Sequence, residues 1–293
     1  MFMNQRVKEI GKKIVAFIPS KMWLSYRFKK KTGYKMDWKN PKTYNQKLQW
    51  LKVYDRNPLY TTLVDKYEVK KYVADKIGEQ YIIPTLGVWD NFDEIDFDKL
   101  PDQFVLKCTH DSGGLAIVRD KARFDKATAR KMFKIALGRN PYDVSREWPY
   151  KNVKPRIIAE QYMEDEKTAE LRDYKFFSFY GEPKAMFIAS ERASETEETK
   201  FDFFDMDFNH LPFTNGHPNA KVPPEKPENF EEMKKLASKL SEELPEARID
   251  FYEVNGKTYF GEITFFHWGG TKPFDPVEWD YTFGSWIKLP KKR

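Results

Sequence analysis

Along residues 248–270, RIDFYEVNGKTYFGEITFFHWGG, apolar and polar positions alternate on either side of Asn255-Gly256, the pattern of two strands joined by a tight turn. Ile249, Phe251, Tyr259, Ile263 and Phe265 hold odd positions, whereas Arg248, Asp250, Glu262 and Thr264 hold even ones. Alternate residues of a strand face opposite sides, so each strand has an oily face and a charged one. A two-residue loop at Asn255-Gly256 would pair 250 with 261 and put Asp250 and Glu262 on opposite sides. A three-residue loop, Val254-Asn255-Gly256 with Gly256 left-handed, pairs 250 with 260 and 248 with 262 and restores one continuous oily face. It gathers an arginine, two carboxylates and a hydroxyl on one side, which is costly unless something cationic or phosphorylated sits among them.

The remaining pattern predicts a mixed α+β chain. Helical spacing recurs at Val7, Ile10, Ile14 and Phe17 or Ile18, at Tyr44, Leu48 and Leu51, and at Val69, Tyr72, Val73 and Ile77. It returns at Ala129, Met132, Phe133 and Ala136, and at Phe230, Met233, Leu236, Ala237 and Leu240. Ile82-Ile83-Pro84 leads into a turn-rich run to Pro101. Phe104–Cys108 and Leu115–Val118 read as strands around the polar, glycine-rich loop 109–114, whose backbone N–H groups could cradle phosphate. Residues 140–154 read as a loop, a lid or acceptor surface. Ile157–Ala159 is a further strand. Residues 173–180 and 184–190 form a pair turned at Gly181-Glu182, with Asp173 and Lys175 on one face. Lys107 lies within an apolar strand, an expensive place for an ammonium without a partner such as a triphosphate.

Composition narrows the class. The 293 residues include 16% aromatic and 33% charged side chains, a folded chain with a wet surface, and no apolar run is long enough for a membrane-spanning helix. Lysines break up the apolar residues at the start, so no signal peptide is expected, and one cysteine, Cys108, excludes an internal disulfide; cytoplasm is the expected compartment. The net charge of +6 is local: residues 1–35 hold ten Lys or Arg against the single acid Glu9. That argues against a nucleic-acid partner for the whole protein and leaves peripheral contact of residues 1–35 with an anionic membrane as an expectation. Oligomeric state is not legible.

In order along the chain, these features resemble the ATP-grasp superfamily, and most closely its TupA-like branch, associated with teichuronopeptide and surface-polysaccharide synthesis. Asp65-Lys66, the Phe104–Lys107 strand, the Asp111-Ser112-Gly113-Gly114 flap, the Glu160-Gln161-Tyr162-Met163 hinge, Asp173-Tyr174-Lys175 and the Asp250/Glu262 pair carry the resemblance. It implies two α+β subdomains clasping ATP, residues 61–155 and 156–293, after a basic helical extension, residues 1–60. Lys66, Lys107, Asp111, Ser112, Gly113, Gly114, Glu160, Gln161, Met163 and Asp173 would bind the nucleotide. Lys175 and Arg248 would act on the reacting phosphate, and Asp250, Glu262 and Thr264 would hold Mg2+. Thr264 stands where many members have Asn, and the ribose-binding acid is Glu164, Asp165, Glu166 or Glu170. The implied reaction phosphorylates a small-molecule or saccharide carboxylate, and an amine donor then displaces phosphate. The alternatives are a glycosyltransferase of the same pathway, for which only Asp205-Met206-Asp207 offers a metal-site spacing, and a non-catalytic membrane-surface protein. Cys108 and the histidines, His110 and His267 included, read as structural.

Overall fold

The computed structural model of the chain describes residues 17–166, 171–191 and 198–292, so Val7, Ile10, Ile14 and Glu170 lie outside the described residues. Two antiparallel sheets frame the molecule. The first has the order β1-β4-β2-β3, from β1 (Thr85–Trp89), β2 (Phe104–Cys108), β3 (Leu115–Val118) and β4 (Ile157–Gln161). The second has the order β7-β6-β5-β8-β9, from β5 (Asp173–Phe179), β6 (Glu182–Ser190), β7 (Lys200–Phe204), β8 (Ala247–Val254) and β9 (Lys257–Thr264). β1 lies within the run expected to be turns. It is a short edge strand in which Gly87 lets the Trp89 ring pack where a Cβ would stand, so it lacks the β-branched alternation that marks a strand in sequence. β4 pairs with β1 and β2, so the first sheet extends beyond the division expected at 155/156.

Each sheet has its own core. In β2, Phe104, Leu106 and Cys108 turn toward helix α5 (Lys126–Leu137; helices are numbered below) and are buried with Ala129, Phe133 and Ala136. Val105 and Lys107 therefore face the opposite way. Asp125 starts α5 by accepting from the N–H groups of Ala127 and Thr128. The Cys108 thiol, pushed up to about 12 by burial, is inert core.

The other helices are α1 (Ser20–Thr32), α2 (Tyr44–Tyr54), α3 (Leu59–Val64), α4 (Glu68–Ile77), α6 (Pro141–Ser145), α7 (Phe230–Ser241) and α8 (Glu278–Trp286). α7 buries all five residues of its expected face against the second sheet, with Phe230 beside Phe176 at 5.9 Å. α2 begins with a capping box between Thr43 and Gln46, and Tyr44 meets Phe177, Phe274 and Phe283 edge-on. Expected in an N-terminal extension, α2 is instead part of the second core. Residues 140–154 are not a plain loop but α6 and a 3-10 turn, Trp148–Asn152. Among the described residues no helix is long and apolar enough to cross a membrane.

Tyr44 also donates its hydroxyl to Glu246 Oε1 at 2.8 Å, and Glu246 is 1% exposed. Burial lifts that carboxyl to about 8 from an ordinary 4.5. The folded state thus keeps a proton that the unfolded chain has lost, and the stability this contributes, full below pH 4.5, drains away as pH rises through 8. Glu246→Gln is expected to raise Tm above pH 8 and leave it nearly unchanged below pH 4.5, measured by thermal unfolding. Melting curves of the two proteins that stay parallel across that range would contradict the burial.

Candidate active site

The β8–β9 hairpin reaches the expected parity by a different route. Its turn has two residues, Asn255 and Gly256, with φ of 50° and 73°, and Val254 pairs with Lys257. The extra residue lies farther along, at Gly261, where the register shifts so that Phe251 opposes Phe260 but Asp250 opposes Glu262. A Cβ on Gly261 would come 3.1 Å from the Asp250 carbonyl, so only glycine fits the bulge without displacement. Phe260 rather than Tyr259 consequently fills the core.

Arg248, Asp250, Glu262 and Thr264 meet on one face, as expected, but the cation among them belongs to the protein. The Arg248 guanidinium donates to both Asp250 oxygens at 2.7 Å, to Glu262 Oε1 at 2.9 Å and to Thr264 Oγ1 at 3.0 Å. Lys175, on the central strand β5 opposite Asp250, donates to Asp250 Oδ2 and to Asp173 at 3.0 Å. Asp173 and Lys175, on one face as expected, are buried in the middle of the sheet. Burial pulls the Lys175 ammonium down despite Asp250, whereas for the half-exposed Glu262 desolvation is outweighed by Lys175, Arg248 and Lys66, which hold its carboxyl at about 2.

His267 and Asn215 complete this cluster and were not expected in it. Asn215 Nδ2 donates to the Lys272 and Pro273 carbonyls, which turns its oxygen toward His267 Nε2 at 3.0 Å. His267 must then carry its proton on Nε2 and accept from Arg248 through Nδ1, at 2.9 Å. Burial beside Arg248 and Lys175 keeps the imidazole neutral. No local motif announces this pair, because it converges from a loop and a 3-10 turn.

Between the two sheets lies an apolar cleft of about 340 Å³. Val105, Ile117 and Met163 line it from one side, Ala189 and Tyr252 from the other. Lys107 and Glu160 form its polar floor: Glu160 binds Lys107 at 2.7 Å and Lys70, from α4, at 2.6 Å. The two lysines outweigh the desolvation of Glu160 and lower its pKa. Gln161 and Met163, expected to bind the nucleotide, both line the cleft, and the Gln161 backbone N–H donates to the Pro84 carbonyl. Of the acids after the hinge, Glu164 lines the cleft; Asp165 accepts from the Asn255 N–H at 2.9 Å and Glu166 donates its N–H to the Asn255 side chain, so both serve the hairpin tip.

A second, polar chamber of about 490 Å³ is lined by Lys66, Asp111, Ser112, Arg139, Arg248 and Glu262, with α6 residues Pro141 and Val144 forming a wall. Lys66 donates to the Asp111 carbonyl at 2.9 Å, and Asp111 Oδ1 accepts the Gly113 N–H at 2.7 Å, which folds the flap. Gly114 lies over Cys108, 2.4 Å from Sγ if it carried a Cβ. His110 donates through Nε2 to the Ala136 and Arg139 carbonyls, a structural role. Asp205 is taken up in a turn, accepting from Asp207 and Asn209, so Asp205-Met206-Asp207 does not face either cavity.

The profile of the TupA-like ATP-grasp family matches residues 46–288. The chain belongs to that family. No curated protein sequence matches it. Solved structures similar to this ATP-grasp chain include D-alanine–D-alanine ligase from Bacillus anthracis complexed with ATP, 16% identical over 69% of this chain and 53% of that one, TM-score 0.40. D-alanine–D-alanine ligase from Helicobacter pylori is 17% identical over 78% and 61%, TM-score 0.39, and D-cycloserine synthetase DcsG is 16% identical over 71% and 64%, TM-score 0.39. The chain thus spans less than two thirds of the length of each of these proteins.

The oxygens expected to hold Mg2+ fit it unevenly. Asp250 is fully buried with both oxygens committed to Arg248 and Lys175, so it cannot ligate a cation without releasing one of them. The Thr264 hydroxyl donates to Glu262 and accepts from Arg248. Glu262, 41% exposed at its side chain, opens onto the chamber and is the acid that fits a hydrated cation. Among the described residues no group of three metal-type ligands converges.

Proposed function

We propose that this ATP-grasp chain is an ATP-dependent carboxylate–amine ligase. The observation that carries the reading is the pairing of an apolar cleft floored by Lys107 with a polar chamber that holds Arg248 and Glu262. Adenine occupies the cleft between Ile117, Met163 and Tyr252, and Glu164 receives the ribose. Lys107 meets the phosphates, and the Ser112-Gly113-Gly114 backbone closes over them and excludes water. A carboxylate oxygen of the acceptor attacks the γ-phosphorus and ADP leaves; the amine then attacks the acyl carbon, phosphate leaves, and the nitrogen gives up a proton.

Arg248 and Lys175 are fixed positive charges beside the reacting oxygens, held by their carboxylates before substrate arrives. Glu262 would hold the Mg2+ of MgATP, which would supply charge neutralisation on the phosphate oxygens. A carboxylated saccharide as acceptor follows the surface-polysaccharide association of TupA-like chains, and the single buried cysteine suits the reducing cytoplasm.

The test is ADP release from MgATP across carboxylate and amine panels. Release should require both substrates, and an oxygen-labelled carboxylate should deliver label to the phosphate. AMP as product, or phosphate without label, would sink the reading.

A further inference from the structure

We propose that α1 is a docking helix that lays the protein on an anionic lipid surface. Its thirteen residues, SKMWLSYRFKKKT, split by helical spacing into two faces. Leu24 and Phe28, one turn apart, are buried, and Phe28 packs edge-on against Tyr34 at 5.0 Å. On this flank the Trp23 indole N–H donates to the Val144 carbonyl at 2.8 Å, and Arg27 donates to the same oxygen. The opposite face is open: Met22 is 64% and Tyr26 57% exposed, and Lys29 and Lys30 continue the stripe, the Lys30 ammonium 5.8 Å from the Tyr26 ring.

Charge selects the occupant. Residues 17–43 contain eight Lys or Arg and one acid, Asp37, whose carboxylate is taken up by the N–H groups of Lys39 and Asn40. A second copy of this face would meet it with like charge. Nucleic acid would match the lysines but leave Met22 and Tyr26 without a counterpart. An anionic bilayer matches both, with ammonium groups at the headgroups and the thioether and phenol at the acyl boundary. Because Trp23 and Arg27 grip α6, a wall of the polar chamber, docking brings that chamber to the bilayer, where an acceptor carried on a lipid would meet it. That last consequence rests on the ligase reading; the docking itself does not.

The experiment is co-sedimentation of the full chain, without nucleotide, with vesicles of phosphatidylcholine alone or with added phosphatidylglycerol. Binding is expected only to the anionic vesicles and should weaken as salt rises. Changing Lys29, Lys30 and Lys31 together to Glu should lower partitioning by roughly a hundredfold or more, at about fivefold per lysine removed. Met22→Ser with Tyr26→Ser should weaken it at constant charge. Both variants alter exposed positions; because the lysine variant also removes favourable charge from the last turn of α1, circular dichroism first checks that both are folded. Wild-type protein left in the supernatant, equal binding to neutral vesicles, unchanged partitioning of the lysine variant, or tight DNA binding that excludes vesicles would each overturn the proposal. None of these outcomes depends on ATP turnover, so a failed ligase assay leaves the docking result intact.

Discussion

On the ligase reading, Arg248→Ala is expected to abolish turnover, by about a thousandfold or more, and whatever the reaction it should destabilise the fold by about 3–5 kcal/mol. The guanidinium is the hub of its face: removing it leaves Asp250 with Lys175 alone, leaves Glu262 with only the Thr264 hydroxyl as a donor, takes the donor from Thr264, and leaves His267 Nδ1 facing a void. Arg248→Lys keeps the charge without the fork that spans Asp250 in two parallel bonds, so it should recover part of the stability and little of the rate. Urea unfolding of both variants and of Asp250→Asn, combined in a double-mutant cycle, checks the coupling; strictly additive losses would mean that the bidentate contact is not made in solution.

Glu160→Gln is expected to cost about 3 kcal/mol or more, since it leaves two largely buried lysines, Lys70 and Lys107, without a counter-ion. The same carboxylate sets an acid limb. Its folded pKa is depressed, so the stability it contributes is present above the ordinary carboxylate range and is lost as pH falls below it. The gap in Tm between wild type and Glu160→Gln should therefore be wide at neutral pH and close in acid. A gap that persists at low pH would show that the loss is one of packing rather than charge. On the ligase reading, the stabilisation by MgATP should vanish in Lys107→Ala, because Lys107 faces the cleft from β2.

Much of this was legible in the chain because strands fix which residues share a side. Alternation alone placed Arg248, Asp250, Glu262 and Thr264 together, and it put Lys107 on the side of β2 away from Cys108. It did not reveal where the extra residue stands, since a left-handed turn glycine and a bulged Gly261 restore the same parity. Nor did it reveal that the missing cation is Arg248 itself, because strand spacing gives the side of a residue but not the reach of its fork. Lys70, Asn215 and His267 were missed for another reason. They come from a helix, a loop and a 3-10 turn, so their convergence is set by tertiary packing that no local pattern carries. α6 left no trace either: five residues behind a proline are too few for helical periodicity.

The bonds from Asp165 and Glu166 to Asn255 have a mechanical consequence. They staple Asp165 and Glu166, beyond the first sheet, to the tip of the β8–β9 hairpin, so these two residues are tied to the strands bearing Asp250 and Glu262. Gln161 is held at the other end by Pro84. Tyr162, Met163 and Glu164 span the gap between the two anchors, so any relative movement of the sheets that flexed this span would displace the cleft-lining Met163 and Glu164 with it.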